Sequence, residues 1–116
     1  MEAVEQSNMA TIEQLSAIEL RVGLIERVEE IEKSDRLYKL TVSFGEFGSK
    51  TICSGIKKFF TPEQLQGKKV LFAYNLPPRE LMGVVSEGMI MVAKNEANHA
   101  VLMVPAADVP VGVRLS

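Results

Sequence analysis

Between Asn75 and Ala93 the run NLPPRELMGVVSEGMIMVA gathers polar groups onto a backbone that is stiff in some places and permissive in others. Pro77 and Pro78 fix φ near about −65° and stop a strand. Gly83 and Gly88 accept φ > 0 or let another backbone come close. Around them sit the amide of Asn75, the guanidinium of Arg79, the hydroxyl of Ser86 and the thioethers of Met82, Met89 and Met91. Asn75 and Ser86 are short donors suited to sugar and phosphate oxygens, and Arg79 suits phosphate. Met82 and Met89 can pack on an exposed ring, or they can fill gaps in a core as methionines commonly do. Both readings of the methionines stand on local chemistry alone.

Catalytic arrangements do not emerge from the rest of the chain. Gly83 and Gly88 have the spacing of a phosphate loop, but no lysine follows them. Glu29 and Glu30 are adjacent, so their carboxylates point apart. With one histidine, His99 in the polar turn KNEANH, neither a Ser/His/Asp set nor a shared metal site can be assembled. Cys53 is the single cysteine and lies in the strand-like KTIC, which predicts a buried, inert thiol and no internal disulfide. The expectation is a protein that is not an enzyme, with no metal and no cofactor. Acidic residues at Glu2 and Glu5 without an apolar core argue against a secretory leader. No apolar run approaches the roughly 20 residues of a membrane span. A cytoplasmic location follows.

Net charge is −2 over 116 residues, which argues against indiscriminate nucleic-acid binding. The charge is unevenly spread: residues 1–35 carry −6 and residues 36–116 carry +4. A locally basic face can still attract phosphate. Candidates for it are Lys33, Arg36, Lys39, Lys57, Lys58, Arg79 and Lys94.

The elements that must position these groups are short strands. Residues 1–10 are expected to be a flexible segment, followed by one domain over 11–116. Thr11 with Gln14 makes a capping box for a short helix. Ile18, Leu20, Val22 and Leu24 alternate with polar residues as a half-buried strand, and a phase slip near Gly23–Glu26 predicts a bulge. Leu37 to Val42 and Lys50 to Ser54 form a hairpin around a turn at Phe44–Gly48. Thr61 as N-cap, Pro62 at N1 and Gly67 as the stop define a second short helix. Val70 to Tyr74, Met89 to Ala93 and Val101 to Val104 complete the strands, and Val109, Val111, Val113 and Leu115 alternate in the tail. Three strands, a short helix and two more strands is the order of an all-β OB-fold, a five-stranded Greek-key barrel with the helix between strands 3 and 4.

The words SGIKKFFTPEQLQGKKV, NLPPRELMG, SEGMIMVA and VPVGVRL, in that order, closely resemble the tRNA-binding domain of the methionyl-tRNA-synthetase C-terminal type. The resemblance runs from about Ile12 to Leu115. It implies an OB barrel that grips the elbow of tRNA by shape, a homodimer built from the chain ends in free-standing members, and association with an aminoacyl-tRNA synthetase. Carried over by position, it implies that Asn75, Arg79, Met82, Ser86 and Met89 belong to the binding motif, with Lys57 after Ser-Gly-Ile. Lys33 and Arg36 flank the loop that this sequence writes as EEIEKSD. That loop lacks the family's usual histidine, Pro77 stands where a lysine is usual, and Glu80 stands where a base is usual. The Asn-x-Pro-Pro-Arg form is also similar to secretion-related, chaperone-like dimers. Those imply an alternative ligand, unfolded or pre-secretory polypeptide, held by Phe59, Phe60, Leu81, Met82 and Met89.

Overall fold

The computed structural model describes residues 8–116; most of the expected flexible segment, residues 1–7, lies outside the described residues. The chain forms α1 (Ile12–Ser16), β1 (Leu20–Glu30), β2 (Tyr38–Ser43), β3 (Ser49–Ser54), α2 (Pro62–Leu65) and β4 (Lys69–Ala73). It continues through β5 (Arg79–Leu81), β6 (Val84–Ser86), β7 (Met89–Ile90), β8 (Val92–Lys94) and β9 (Ala100–Leu102). Both helices begin as their sequences require. Thr11 and Thr61 each accept from the backbone of the residue three on, and Gln14 and Gln64 reach back to the cap N–H. Gly67, at φ 83°, ends α2.

Five antiparallel strands lie in the order β3-β2-β1-β4-β7. Strands β1 to β3 meander and β4 returns beside β1, which is a Greek key. Between Ile25 and Arg27 the register of β1 on β2 shifts by one residue, the bulge that the phase slip predicted. The fold is an OB barrel, with α2 between β3 and β4.

The barrel interior is filled by Ile25, Leu40, Val42, Phe44, Ile52, Leu65, Val70 and Phe72, all fully buried. Gly23 faces this interior. A Cβ there would stand 2.5 Å from Val42 and 2.9 Å from Phe72, so glycine makes room for the core. It follows that the alternating Leu20 and Val22 of β1 do not line the barrel. They face outward, Val22 into an apolar groove with Leu71, Met103, Val104, Val109, Val113 and Leu115. The C-terminal segment makes that groove and is held mainly by backbone. Gly112 donates to Val22 O at 2.7 Å, Val113 O accepts from Val22 at 3.0 Å, and Leu115 donates to Leu20 O at 2.8 Å. These bonds fill the edge of β1 that β2 leaves unpaired, since β2 begins pairing only at Leu24. The tail's alternating valines therefore form no strand, apart from one bridge between Arg21 and Arg114. Lys69 fastens the same segment, donating to Asp108 at 2.6 Å and to Val109 O at 2.7 Å. That bond holds the Asp108 carboxyl below the usual carboxylate range.

Among the described residues no helix is long and apolar enough to cross a membrane.

Candidate nucleic-acid interface

Two loops and one strand face frame the site. The first loop, residues 31–37, joins β1 to β2. Ser34 organises it: its N–H donates to Ile31 O, and its Oγ accepts from Leu37 at 3.0 Å and Arg36 at 3.3 Å. Lys33 takes a left-handed backbone, φ 71°, to make the turn. Lys33 and Arg36 are exposed and make no ion pair among the described residues. Lys57 comes from the far end of β3 and is tied into this loop. Its N–H donates to Arg36 O at 3.2 Å, its ammonium to Ser34 O at 3.1 Å, and the ammonium also pairs with Glu30 at 2.6 Å.

The second loop runs from Asn75 to Gly88 and contains a hairpin. Strands β5 and β6 pair Arg79 with Ser86 and Leu81 with Val84. This leaves Met82 and Gly83 as a two-residue turn, both at positive φ. That geometry is a type I′ turn, whose usual signals are Asn-Gly or Asp-Gly. The sequence reading, in which Pro77 and Pro78 stop one strand and the next begins at Met89, missed the hairpin because Met-Gly carries no such signal. Met82 stands at the tip, 56% exposed, and Met89 is 52% exposed, so neither fills the core. The alternative in which these two methionines pack the interior is thereby corrected.

Two expected ligand donors are occupied within the fold. Asn75 Oδ1 accepts from Glu19 N at 2.7 Å and its Nδ2 donates to Ala17 O at 2.8 Å, which fastens the N-terminal segment to the barrel. Ser86 is 5% exposed; its Oγ accepts from Cys53 N at 3.0 Å and donates to Gly88 O at 3.2 Å. Glu87 does the matching work on Thr51: its N–H donates to Thr51 O at 2.8 Å, and its carboxylate accepts from Thr51 N at 2.9 Å. Residues 86–87 thus close the barrel against β3 with side chains where a strand ladder would otherwise run. Gly88 permits it, because a Cβ there would stand 2.8 Å from Ala73 O and 3.2 Å from Ile52. The sequence marks Ser86 and Gly88 as special, but apart from the Ser86–Gly88 bond itself their partners Cys53, Ala73 and Ile52 are distant in sequence, and no local pattern reports them.

The outer face of β2 and β3 lies between the loops. Lys39 is paired opposite Cys53 and Thr41 opposite Thr51. Burial pushes the Cys53 thiol up, and the charge of Lys39, its cross-strand partner, offsets part of that push. Cys53 also floors a cleft of about 290 Å³, walled by Leu76, Pro77, Pro78, Arg79 and Met89. Arg79, Cys53 and Lys39 therefore follow one another across one surface, and the loop bearing Lys33 and Arg36, with Lys57 tied to it, adjoins its end. Lys94 is exposed on the separate β8–β9 hairpin, and Lys58 is exposed beyond Lys57. Phe59 and Phe60 pack against the core, leaving Leu81, Met82 and Met89 from the expected apolar patch. His99 is exposed and lies against Phe59, ring centroids 5.7 Å apart. Glu30 is the acid that sequence reasoning overlooked here, because an adjacent pair of glutamates does not show which lysine it meets.

Strand order, loop placement and the residues they carry match a known domain class. Residues 20–114 match the family described as "Putative tRNA binding domain", and the chain belongs to that family. It is 42% identical over 112 residues to the methionine–tRNA ligase of Caldanaerobacter subterraneus, covering 97% of this chain and 17% of that protein. For the methionine–tRNA ligase of Deinococcus radiodurans the figures are 36% over 111 residues, 96% and 16%. The chain thus spans about a sixth of the length of these curated relatives. Among solved structures, a protein of Pyrococcus horikoshii related to methionyl-tRNA synthetase superposes with TM-score 0.87 at 35% identity, covering 94% of this chain and 99% of that one. The chaperone CsaA of Bacillus anthracis superposes with TM-score 0.83 at 31% identity, covering 93% and 99%.

Proposed function

We propose that this chain is a non-catalytic tRNA-binding module that grips the folded elbow of tRNA through its sugar-phosphate outline. The observation that carries this reading is the surface described above. Cations from the β1–β2 loop, from β2 and from the β5–β6 hairpin border the outer face of β2 and β3, which is the face and loop pair that OB barrels use for oligonucleotides. Lys33, Arg36, Lys39 and Arg79 supply the charge. Lys57 joins them at the loop base, and Met82 and Met89 offer apolar surface to a ribose or an unstacked base. A double-helical RNA hides its base edges in a deep major groove, so short side chains on a barrel meet phosphates and 2′-hydroxyls instead. Ser86 supports this surface from behind through Cys53, and Asn75 ties the N-terminal segment to the barrel.

The working form is a homodimer in the cytoplasm, acting beside an aminoacyl-tRNA synthetase, with no cofactor. The dimer reading is supported by apolar side chains left exposed near both ends of the described chain. Ile12, Leu15 and Ile18 line a second groove with Leu115, next to the one floored by Val22 and Leu71. Two linked sites would raise the avidity of a modest single-barrel contact.

A second reading, capture of unfolded polypeptide, is favoured by the apolar walls of the Cys53 cleft and by the likeness to the chaperone CsaA. Salt separates the two. Neutralising about four phosphates gives a slope of log affinity against log salt near about −3 to −4. Apolar capture of a peptide has almost none. The test titrates total tRNA and a denatured polypeptide at two salt concentrations, using the native chain, Arg79→Ala and Arg36→Ala. Steep salt dependence for tRNA, with weakened binding in both variants, supports the first reading. Salt-insensitive binding of the polypeptide alone refutes it. Light scattering of Leu15→Glu tests the dimer, which should fall to a folded monomer.

A further inference from the structure

We infer that Glu30 is an internal stand-in for an RNA phosphate: its carboxylate holds the site on Lys57 that a phosphate takes on binding, and so it sets the affinity of the β1–β2 loop. This rests on the tRNA-binding reading above. Four observations carry it. First, the two partners are unequally fixed. Lys57 is anchored through its backbone to Arg36 O at 3.2 Å and through its ammonium to Ser34 O at 3.1 Å, and its side chain is 22% exposed. Glu30 ends β1, and its side chain is 68% exposed and accepts no hydrogen bond from backbone among the described residues. The cation is built in and the anion is a loose end.

Second, the pair is close, at 2.6 Å, and the carboxylate sits where an incoming anion would have to be. An ammonium has three protons. One goes to Ser34 O, and Glu30 meets the ammonium as an ion pair. Third, the loop holds two exposed cations, Lys33 and Arg36, with no ion-pair partner among the described residues, and its own acids Glu32 and Asp35 are in no ion pair there either. The backbone bond from Lys57 to Arg36 O joins the two residues, so a phosphate bound at Arg36 lies near Lys57 and its Glu30 partner. Fourth, the field of Glu30 reaches inward as well, since it adds to the burial that raises the Tyr38 phenol, while Lys57 opposes it. Both charges thus act on one small region.

An exposed ion pair is weak, so a phosphate can displace it. While it persists, it cancels one cation of the interface. Removing the carboxylate should tighten tRNA binding by about two- to five-fold and steepen the salt slope by about 0.7 to 0.9. Long-range attraction alone would also favour any variant that loses an acid, so the test is a double-mutant cycle. Total tRNA is titrated at two salt concentrations against the native chain, Glu30→Gln, Lys57→Gln and the double variant. Glu32→Gln, on the same loop and in no ion pair among the described residues, is the control for net charge. The expected result is a gain for Glu30→Gln that exceeds the gain for Glu32→Gln and disappears when Lys57 is also Gln. A Glu30→Gln gain that survives in the Lys57→Gln background overturns the inference, as does a gain no larger than that of Glu32→Gln. In either case, steep native binding leaves the tRNA reading standing, and absent native binding removes that reading too.

Discussion

Replacing Ser86 with alanine separates the two jobs that its sequence position could have held. Its Oγ accepts from the Cys53 amide at 3.0 Å and donates to Gly88 O at 3.2 Å, at a site 5% exposed. The alanine variant loses a bond worth about 0.5–1.5 kcal/mol and leaves a buried N–H without a partner, for which the penalty is about 1–3 kcal/mol. Because these overlap, a loss near about 2 kcal/mol is expected. With m of about 1–3 kcal/mol/M in urea, the midpoint should fall by about 1 M at unchanged m. Below the transition, tRNA affinity should stay within about two-fold of native, because the hydroxyl does not reach the surface. Arg79→Ala should behave the opposite way. The guanidinium is exposed and unpaired among the described residues, so stability should move by less than about 0.5 kcal/mol while tRNA affinity falls and the salt slope flattens. A Ser86→Ala protein with native urea stability and no tRNA binding would refute this reasoning.

Two further outcomes follow from the same geometry. Gly88→Ala should cost about 1–3 kcal/mol by thermal or urea unfolding, because its methyl group meets the Ala73 carbonyl and Ile52 rather than a yielding side chain. Stability should also fall at alkaline pH. Burial raises the Cys53 thiol above 9.0 and the Tyr38 phenol above 10.0, so the folded chain favours their protonated forms. Their contribution is complete below those values and is lost as pH climbs through the folded ones. Tyr38→Phe should lose about 1 kcal/mol at neutral pH, since its hydroxyl donates to Phe60 O at 2.8 Å, and should decline less steeply above pH 10.0. Urea midpoints measured across that range check both statements.

Local chemistry explains which parts of this structure could be read from residues alone. Thr11, Thr61, Pro62 and Gly67 act within one turn of their own helices, so the helix ends were legible. The bulge in β1 was legible because a phase slip in an alternating strand has few other outcomes. The face of that strand was not. Leu20 and Val22 alternate as any half-buried strand does, and only contacts distant in sequence, those of Gly23 with Val42 and Phe72 and those of the tail, show that their side is the outer one. The same limit applied to the site. Arg79 and Met82 show their exposure in the hairpin and Met89 at the start of β7, whereas Asn75 and Ser86 owe their roles to Ala17, Glu19 and Cys53. An amide or hydroxyl in a conspicuous motif advertises hydrogen bonding, but not the direction in which it bonds.

The course of residues 112–115 has a consequence for how the molecule survives proteolysis. A nick ahead of Gly112 would strip Leu20 and Val22 of their backbone partners and bare a short, unprotected ribbon beside an apolar trough. Such a ribbon is a template for strand addition by another molecule. The clipped product should therefore gather into aggregates well before its barrel unfolds.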